Sequence, residues 1–436
     1  MIVIQLHPDF IEEKKYVWNY LLGELLQLQV RFEANEGQSG YLLTANNRQL
    51  WFADDFFHRS QRIDHLYSLE NLPKLPVRLN HPLAPEGDLV TLYGAPEINS
   101  SDQHFECHLD ITASTFFMLT RWEETVVETR DRFGRFPFSA SVNCRFELQY
   151  RPLVNEYAFF LAQVLRSLGY PVDLPAREVR FLPSHDIDYI SLWPTWYHRL
   201  RTIGGDILVR RDLTFTRWMW KEFGKLTSNP YHTLERLIGK AAVRNVTATF
   251  YIRSDEVDYS LLDPHLGQWI NRIAKSGHRL GFHPGIAAAG NEEIFLNEYE
   301  KLKAILPVSA DTGRTHYLNF TVPDTWRYWH DACIKEDSSM AYSEEPGFRC
   351  SCCTAFPVFD FKQGIEIPVR ELPLLWMDRH LTKKNLTTET ATRLVQSIWE
   401  TTCKYQGDYV FLWHNSSFYL PEWKPYDAVF EAVYSF

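Results

Sequence analysis

Cysteine is scarce in this sequence, with seven residues in 436, an odd number. That excludes a disulfide framework of the kind small secreted domains depend on. No apolar run approaches the roughly 18–20 residues needed to cross a bilayer. The opening Met1-Ile-Val-Ile-Gln-Leu-His-Pro has none of the basic start, long apolar stretch and small-residue cleavage site of a secretory signal. A cytoplasmic location is the expectation. Basic charge is not in excess either: 45 Lys and Arg against 55 Asp and Glu leave a net −10. A global footprint for nucleic acid is therefore missing, and no nucleic-acid partner is expected. Aromatic residues, by contrast, are plentiful at 15%, with 14 Trp, 22 Tyr and 29 Phe. Such richness suits sugar-binding clefts, and large cores as well. The length is too great for one ordinary core, so two or three domains are expected.

The first part of the chain mixes elements without a repeat. Ile2 to Leu6 alternates like a short strand, and Phe10 to Val30 has the spacing of a helix. Tyr41-Leu-Leu-Thr and Gln49-Leu-Trp-Phe resemble the arms of a hairpin. Asp110 to Glu124 has the apolar density of a packed helix, and Tyr157 to Gly169 reads as an amphipathic helix stopped by glycine.

Pro171 to Pro175 reads as a linker, and beyond it the pattern changes. Five short β-rich runs begin at Val179, Thr247, Arg279, Ile365 and Tyr409. Between them lie helical patterns at Tyr231–Val243, His265–Lys275, Glu292–Leu306 and Ala391–Lys404. Alternation of this kind predicts a parallel sheet or an α/β barrel, with chemistry at the carboxyl ends of the strands. The expected domains are a smaller mixed α/β domain over 1–175 and an α/β barrel over 176–436.

Three strand ends carry reactive side chains. The first reads Ser184-His185-Asp186-Ile187-Asp188, the third ends at His283-Pro284-Gly285, and the last at Trp413-His414-Asn415. An Asp-x-Asp alone is more often a solvated turn, and a lone histidine is more often structural than a ligand. Three polar strand ends that agree on one face are a stronger signal than any single one. His278, at the beginning of its strand, reads as a brace for the sheet.

From about Val179 to its end the chain resembles the NodB-homology polysaccharide deacetylase family, in the branch whose first motif is written His-Asp-Val-Asp. Ser184 to Asp188 is similar to that motif, and Gly277 to Gly285 to the second. Arg314-Thr-His316 with Pro323-Asp-Thr-Trp326 resembles the third. Asp337-Ser-Ser-Met-Ala-Tyr342, Gly347-Phe-Arg349-Cys350 and Leu412-Trp-His414 resemble the closing signatures. Residues 1 to about 175 resemble an uncharacterised domain found ahead of this branch, on the strength of Phe116 to Glu124.

The resemblance implies a distorted (β/α) barrel and metal-assisted removal of acyl groups, N-acetyl above all, from a sugar or polysaccharide intermediate. By position, Asp186 would be the general base, His414 the general acid and Arg314 the group that keeps Asp186 oriented and ionised. Asp188 and His283 would hold a divalent metal, zinc in first place, and the substrate partner would be a saccharide. In the family a third ligand stands four residues after the position of His283, and here that residue is Ala287. Three readings stay open: His185, His278 or another rim histidine completes the site, two ligands hold the metal with extra waters, or no catalytic metal binds. A glycan-binding scaffold without activity, or a metal-independent hydrolase of a small C–N bond, would use the same barrel.

Two further features stand apart. Cys350-Ser-Cys352-Cys353 could suit zinc or redox chemistry, but no second pair lies nearby, which favours a structural position. An insertion at about 193–225 is rich in Arg and Trp. It reads as a solvated helix face or, more sharply, as a dock for an anionic glycan or for an acidic membrane surface.

Overall fold

The structure, a computed structural model, describes residues 1–45, 48–59, 62–101, 104–172, 177–193, 195–224 and 229–436. Most of the expected linker at 171–175 lies outside the described residues, as do Pro194 and Lys225 of the insertion. The architecture is mixed α/β, and it packs as two compact units. One contains residues 1–180, 318–375 and 401–408; the other contains 181–317, 376–400 and 409–436.

The first unit opens on β1 (Ile2–Leu6), where Ile2, Ile4 and Leu6 are buried in alternation. Its neighbours are β2 (Val30–Ala34), which runs parallel, and β3 (Gly40–Ala45), which runs antiparallel. β3 and β4 (Arg48–Ala53) form the expected antiparallel arms. β5 (Val77–Asn80) and β6 (Asp88–Thr91) pair separately, while β7 (Gly94–Ser100) and β8 (His104–Leu109) complete a sheet of order β2-β1-β3-β4-β8-β7. The segment expected as one helix over Phe10–Val30 is helical only from Ile11 to Leu25, because Val30 already belongs to β2. Asp110 caps the helix Ile111–Thr120, its carboxylate accepting the Ala113 N–H at 2.8 Å.

In the second unit, β9 (Arg180–Ile187), β10 (Thr249–Arg253), β11 (Arg279–His283) and β12 (Thr312–Gly313) are parallel neighbours. The crossovers carry the helices Leu234–Arg244, Pro264–Lys275 and Glu292–Lys303, the last two capped by Asp263 and Asn291. The next three strands belong to the first unit: β13 (Glu336–Asp337), β14 (Phe356–Asp360) and β15 (Ile365–Glu371). The run at Ile365, expected among the barrel strands, pairs parallel with β13 on one edge and antiparallel with β14 on the other, because the short turn at 361–364 folds it back on β14 as a hairpin. β16 (Trp376–Met377) and β17 (Asp408–Leu412) complete the second unit, whose strand order is β12-β11-β10-β9-β17-β16. Among the described residues these strands run in a linear order.

The first unit also buries a network of charge. Arg121 is fully buried; its guanidinium bonds Glu123, lies 3.2 Å from Glu124 and donates to Tyr342 Oη at 2.9 Å. Arg349 donates to both Glu124 oxygens, at 3.1 and 2.6 Å, and to the Ala341 carbonyl at 2.8 Å. The second Glu123 oxygen accepts the Val142 N–H at 2.9 Å. The sequence signatures around Glu124 and Arg349 are therefore two halves of one lock. Cys350, Cys352 and Cys353 are buried in the same unit as free thiols, and burial pushes the Cys350 and Cys353 thiols well up. Such thiols are inert, in keeping with a structural position.

Candidate functional site

All five expected site residues lie in the second unit, and their side chains converge. Side chains alternate along a strand, so Ser184 and Asp186 share one face of β9 and His185 takes the other. Asp188 follows directly after the strand. Arg314, just beyond β12, is fully buried and donates from Nη1 to Asp186 Oδ1 at 3.0 Å and to Ser184 Oγ at 2.9 Å. Beneath the guanidinium lies the Tyr251 ring, its centroid 4.4 Å from Cζ. That ring occupies the space over Gly281, where a Cβ would come within 2.4 Å of it. Glycine at 281 is thus what admits the tyrosine that supports the arginine.

His283 ends β11. Its Nδ1–H donates to the Arg314 carbonyl at 2.6 Å, an acceptor that fixes the tautomer and turns Nε2 toward the aspartates. Nε2 lies 3.4 Å from Asp188 Oδ1 and 3.7 Å from Asp186 Oδ2. His316 Nε2 is 3.6 Å from the same Asp188 oxygen. Burial lowers the His316 pKa to about 4, so this imidazole is neutral near pH 7 with its lone pair available. Burial works against an ionised Asp188, but the facing histidines, protonated His414 among them, outweigh it, and its carboxyl falls well below the usual range.

Ligand atoms of Asp188, His283 and His316 all lie within 4.8 Å of one another, and all three residues are buried. Asp188 Oδ1 finds no hydrogen-bond partner among the described residues. One carboxylate and two imidazoles leaving a fourth position free are a donor set that fits zinc, and a cation there would satisfy the orphaned oxygen. Ala287 lies in an exposed turn and cannot coordinate. His185 and His278, the other named candidates for the missing ligand, do not join the cluster. His185 Nδ1–H donates to the Trp413 carbonyl at 2.8 Å. His278 accepts the Ala248 N–H at 3.3 Å at the far end of β11.

His414 follows β17. Its Nδ1–H donates to Asp378 Oδ1 at 2.8 Å, and Nε2 lies 3.8 Å from Asp188 Oδ2. Burial lowers the His414 pKa, but the Asp378 charge and hydrogen bond outweigh it and raise the value to about 9. His414 therefore holds a proton at neutral pH, on the side that faces the cluster. Asp378 also accepts the His414 backbone N–H at 2.8 Å.

Sequence pattern does not single out two of these residues. His316 has a signal, standing two places after Arg314, but that position only blurs the placing of the arginine. Asp378 follows β16, a strand of two residues, too short to leave a pattern.

The model of a family of unknown function, DUF7033, matches residues 2–170. No curated protein matches the chain. Among solved structures, a Mycobacterium smegmatis protein assigned as a polysaccharide deacetylase aligns at 16% identity and TM-score 0.40, over 61% of this chain and 86% of its own. The Bc1960 peptidoglycan N-acetylglucosamine deacetylase aligns at 13% identity and TM-score 0.29, over 60% and 84%. Puue allantoinase aligns at 10% identity and TM-score 0.35, over 59% and 83%. Likenesses at such TM-scores fix neither the fold nor the activity of this chain, and the geometry of the buried cluster is the stronger guide to its chemistry.

Proposed function

We propose that residues 176–436 act as a hydrolase on a distorted (β/α) barrel, with residues 1–175 as a domain of unknown function before it. The reaction is removal of an acyl group, N-acetyl above all, from a sugar or polysaccharide intermediate. The observation that carries this reading is one cluster in which Asp188, His283 and His316 lie between an Arg314-held carboxylate and a protonated histidine.

Asp188, His283 and His316 would hold a divalent ion, zinc in first place. When bound, such an ion lowers the pKa of its water to about 7 and polarises the acyl carbonyl. Arg314 holds Asp186 in place, so that Asp186 Oδ2, 3.7 Å from His283 Nε2, accepts the proton of the attacking water. Asp378 orients His414, whose Nε2 returns a proton to the departing amine. The two proton carriers thus meet the cluster at different members, His414 beside Asp188 Oδ2 and Asp186 beside His283 Nε2.

The test is metal analysis of the purified chain together with acetate release from an N-acetylated oligosaccharide. Stoichiometric zinc or cobalt with acetate release is the expected result. Asp186→Asn and His414→Ala each lower turnover by roughly 10²–10⁴-fold in a chain that still folds, as circular dichroism verifies. Wild-type turnover in either variant overturns the assigned roles. The exposed Ala287 favours a second reading, a glycan-binding scaffold, and saccharide binding without metal or turnover would select it.

A further inference from the structure

A second surface of the same unit has a composition that catalysis does not explain. Between β9 and the helix Leu234–Arg244 the chain forms helices at Trp196–Gly205 and Thr214–Glu222, joined through a helical turn at Asp206–Arg210. This pair has its own interior. Met219 and Asp206 are fully buried, and Asp206 accepts the Thr216 hydroxyl. Arg199 is buried between the Trp193 and Trp220 rings, its Cζ 4.9 and 5.6 Å from their centroids, and donates to the Phe223 carbonyl. The pair is tied to its unit: Phe223 packs edge-on against Tyr419 at 5.7 Å, five residues after His414.

With that interior filled, several large apolar side chains face outward. Leu208 and Val209 are 77% and 81% exposed, Trp196 and Tyr197 more than 60%. Leu200 and Ile207 are also more than half exposed. A solitary exposed leucine needs no explanation, but a contiguous group on one helical pair does. The same segment presents Arg201, Arg211, Arg217 and Lys221 to solvent, against Asp212 and Glu222. The Asp212 carboxylate is already engaged by the Thr214 N–H and hydroxyl. A cationic fringe thus surrounds an apolar tip on a chain whose net charge is −10.

We infer that residues 196–222 form a docking surface for an anionic lipid bilayer, with the exposed apolar groups of the helix Trp196–Gly205 and the turn at Leu208 and Val209 entering the headgroup boundary and the arginine fringe meeting lipid phosphates. Local charge is complementary to such a surface, while the rest of the protein is repelled by it, which orients the molecule with this face down. Aromatic and aliphatic groups at the interface and a basic rim are the components that such binding requires. The inference does not depend on the hydrolase reading.

The test is co-sedimentation of the full chain with vesicles of equal parts phosphatidylglycerol and phosphatidylcholine, and with phosphatidylcholine alone. Pelleting with the anionic vesicles only, weakened by salt, is the expected result. Leu208→Glu with Val209→Glu lowers binding about tenfold or more. Joint replacement of Arg201, Arg211 and Arg217 by Gln weakens binding and removes most of its salt dependence. Thermal unfolding of each variant verifies that the fold is kept. Absence of pelleting by the wild-type chain overturns the inference. So does sedimentation equilibrium showing self-association that the Leu208/Val209 variant abolishes without vesicle binding, because the face would then join copies of this chain.

Discussion

In the first unit, Arg121, Glu123, Glu124 and Arg349 are as deeply buried as Asp188, His283 and His316 are in the second. The first group is closed. Both carboxylates face a guanidinium, and the spare oxygen of Glu123 takes a backbone N–H. The second group is open. Asp188 Oδ1 stands without a hydrogen bond beside two imidazole nitrogens, and a proton donor waits on its other oxygen. Burial alone therefore does not distinguish a structural charge from a reactive one; the distinction lies in whether the partners exhaust one another.

Breaking the closed group has the largest expected effect. Arg349→Ala leaves Glu124 buried with one oxygen unpaired and costs about 3–5 kcal/mol in chemical denaturation. Replacing both by leucine recovers most of that loss, and equal destabilisation by the double variant would disprove the lock. Opening the open group further has an intermediate effect on a different observable. His316→Ala weakens zinc binding about a hundredfold or more in calorimetry with the metal alone, while the metal-free melting temperature holds or rises. Unchanged zinc affinity would remove His316 from the ligand set.

Asp110 is the intermediate case, and its effect is a change of slope rather than of level. Its oxygens are used by the N–H groups of Asp55, Phe56 and Ala113, yet burial and the neighbouring Asp54 charge raise its pKa to about 7. The unfolded carboxyl titrates near 4, so the folded state binds the extra proton between the two values. Its contribution is full at low pH and is lost as the pH rises through 7. Asp110→Asn flattens stability against pH over that window, and a slope equal to wild type would exclude the assignment.

The parallel part of the second unit is legible in the sequence, because β9, β10, β11 and β17 each end within a residue or two of a polar signal. Asp186, Asp188, His283 and His414 are visible for that reason, and Arg314 only through the motif it resembles. At Ile365 the strand is legible but its antiparallel partner β14 is not, since an apolar run does not reveal the direction of the strand beside it. Asp378 is hidden by a two-residue strand, and His316 by the arginine beside it. The lock between Glu124 and Arg349 is invisible because both residues read as local signatures, and pairing over such a distance leaves no periodicity.

That lock also constrains how the protein can be made. Arg349 follows Glu124 by 225 positions, so at about 5–20 residues per second the ribosome releases the acid roughly 10–45 seconds before its cation. Throughout that interval Arg121 alone meets the Glu124 carboxylate, and its second oxygen stays with water. A fragment ending near residue 175 would keep that oxygen without its cation for its whole life.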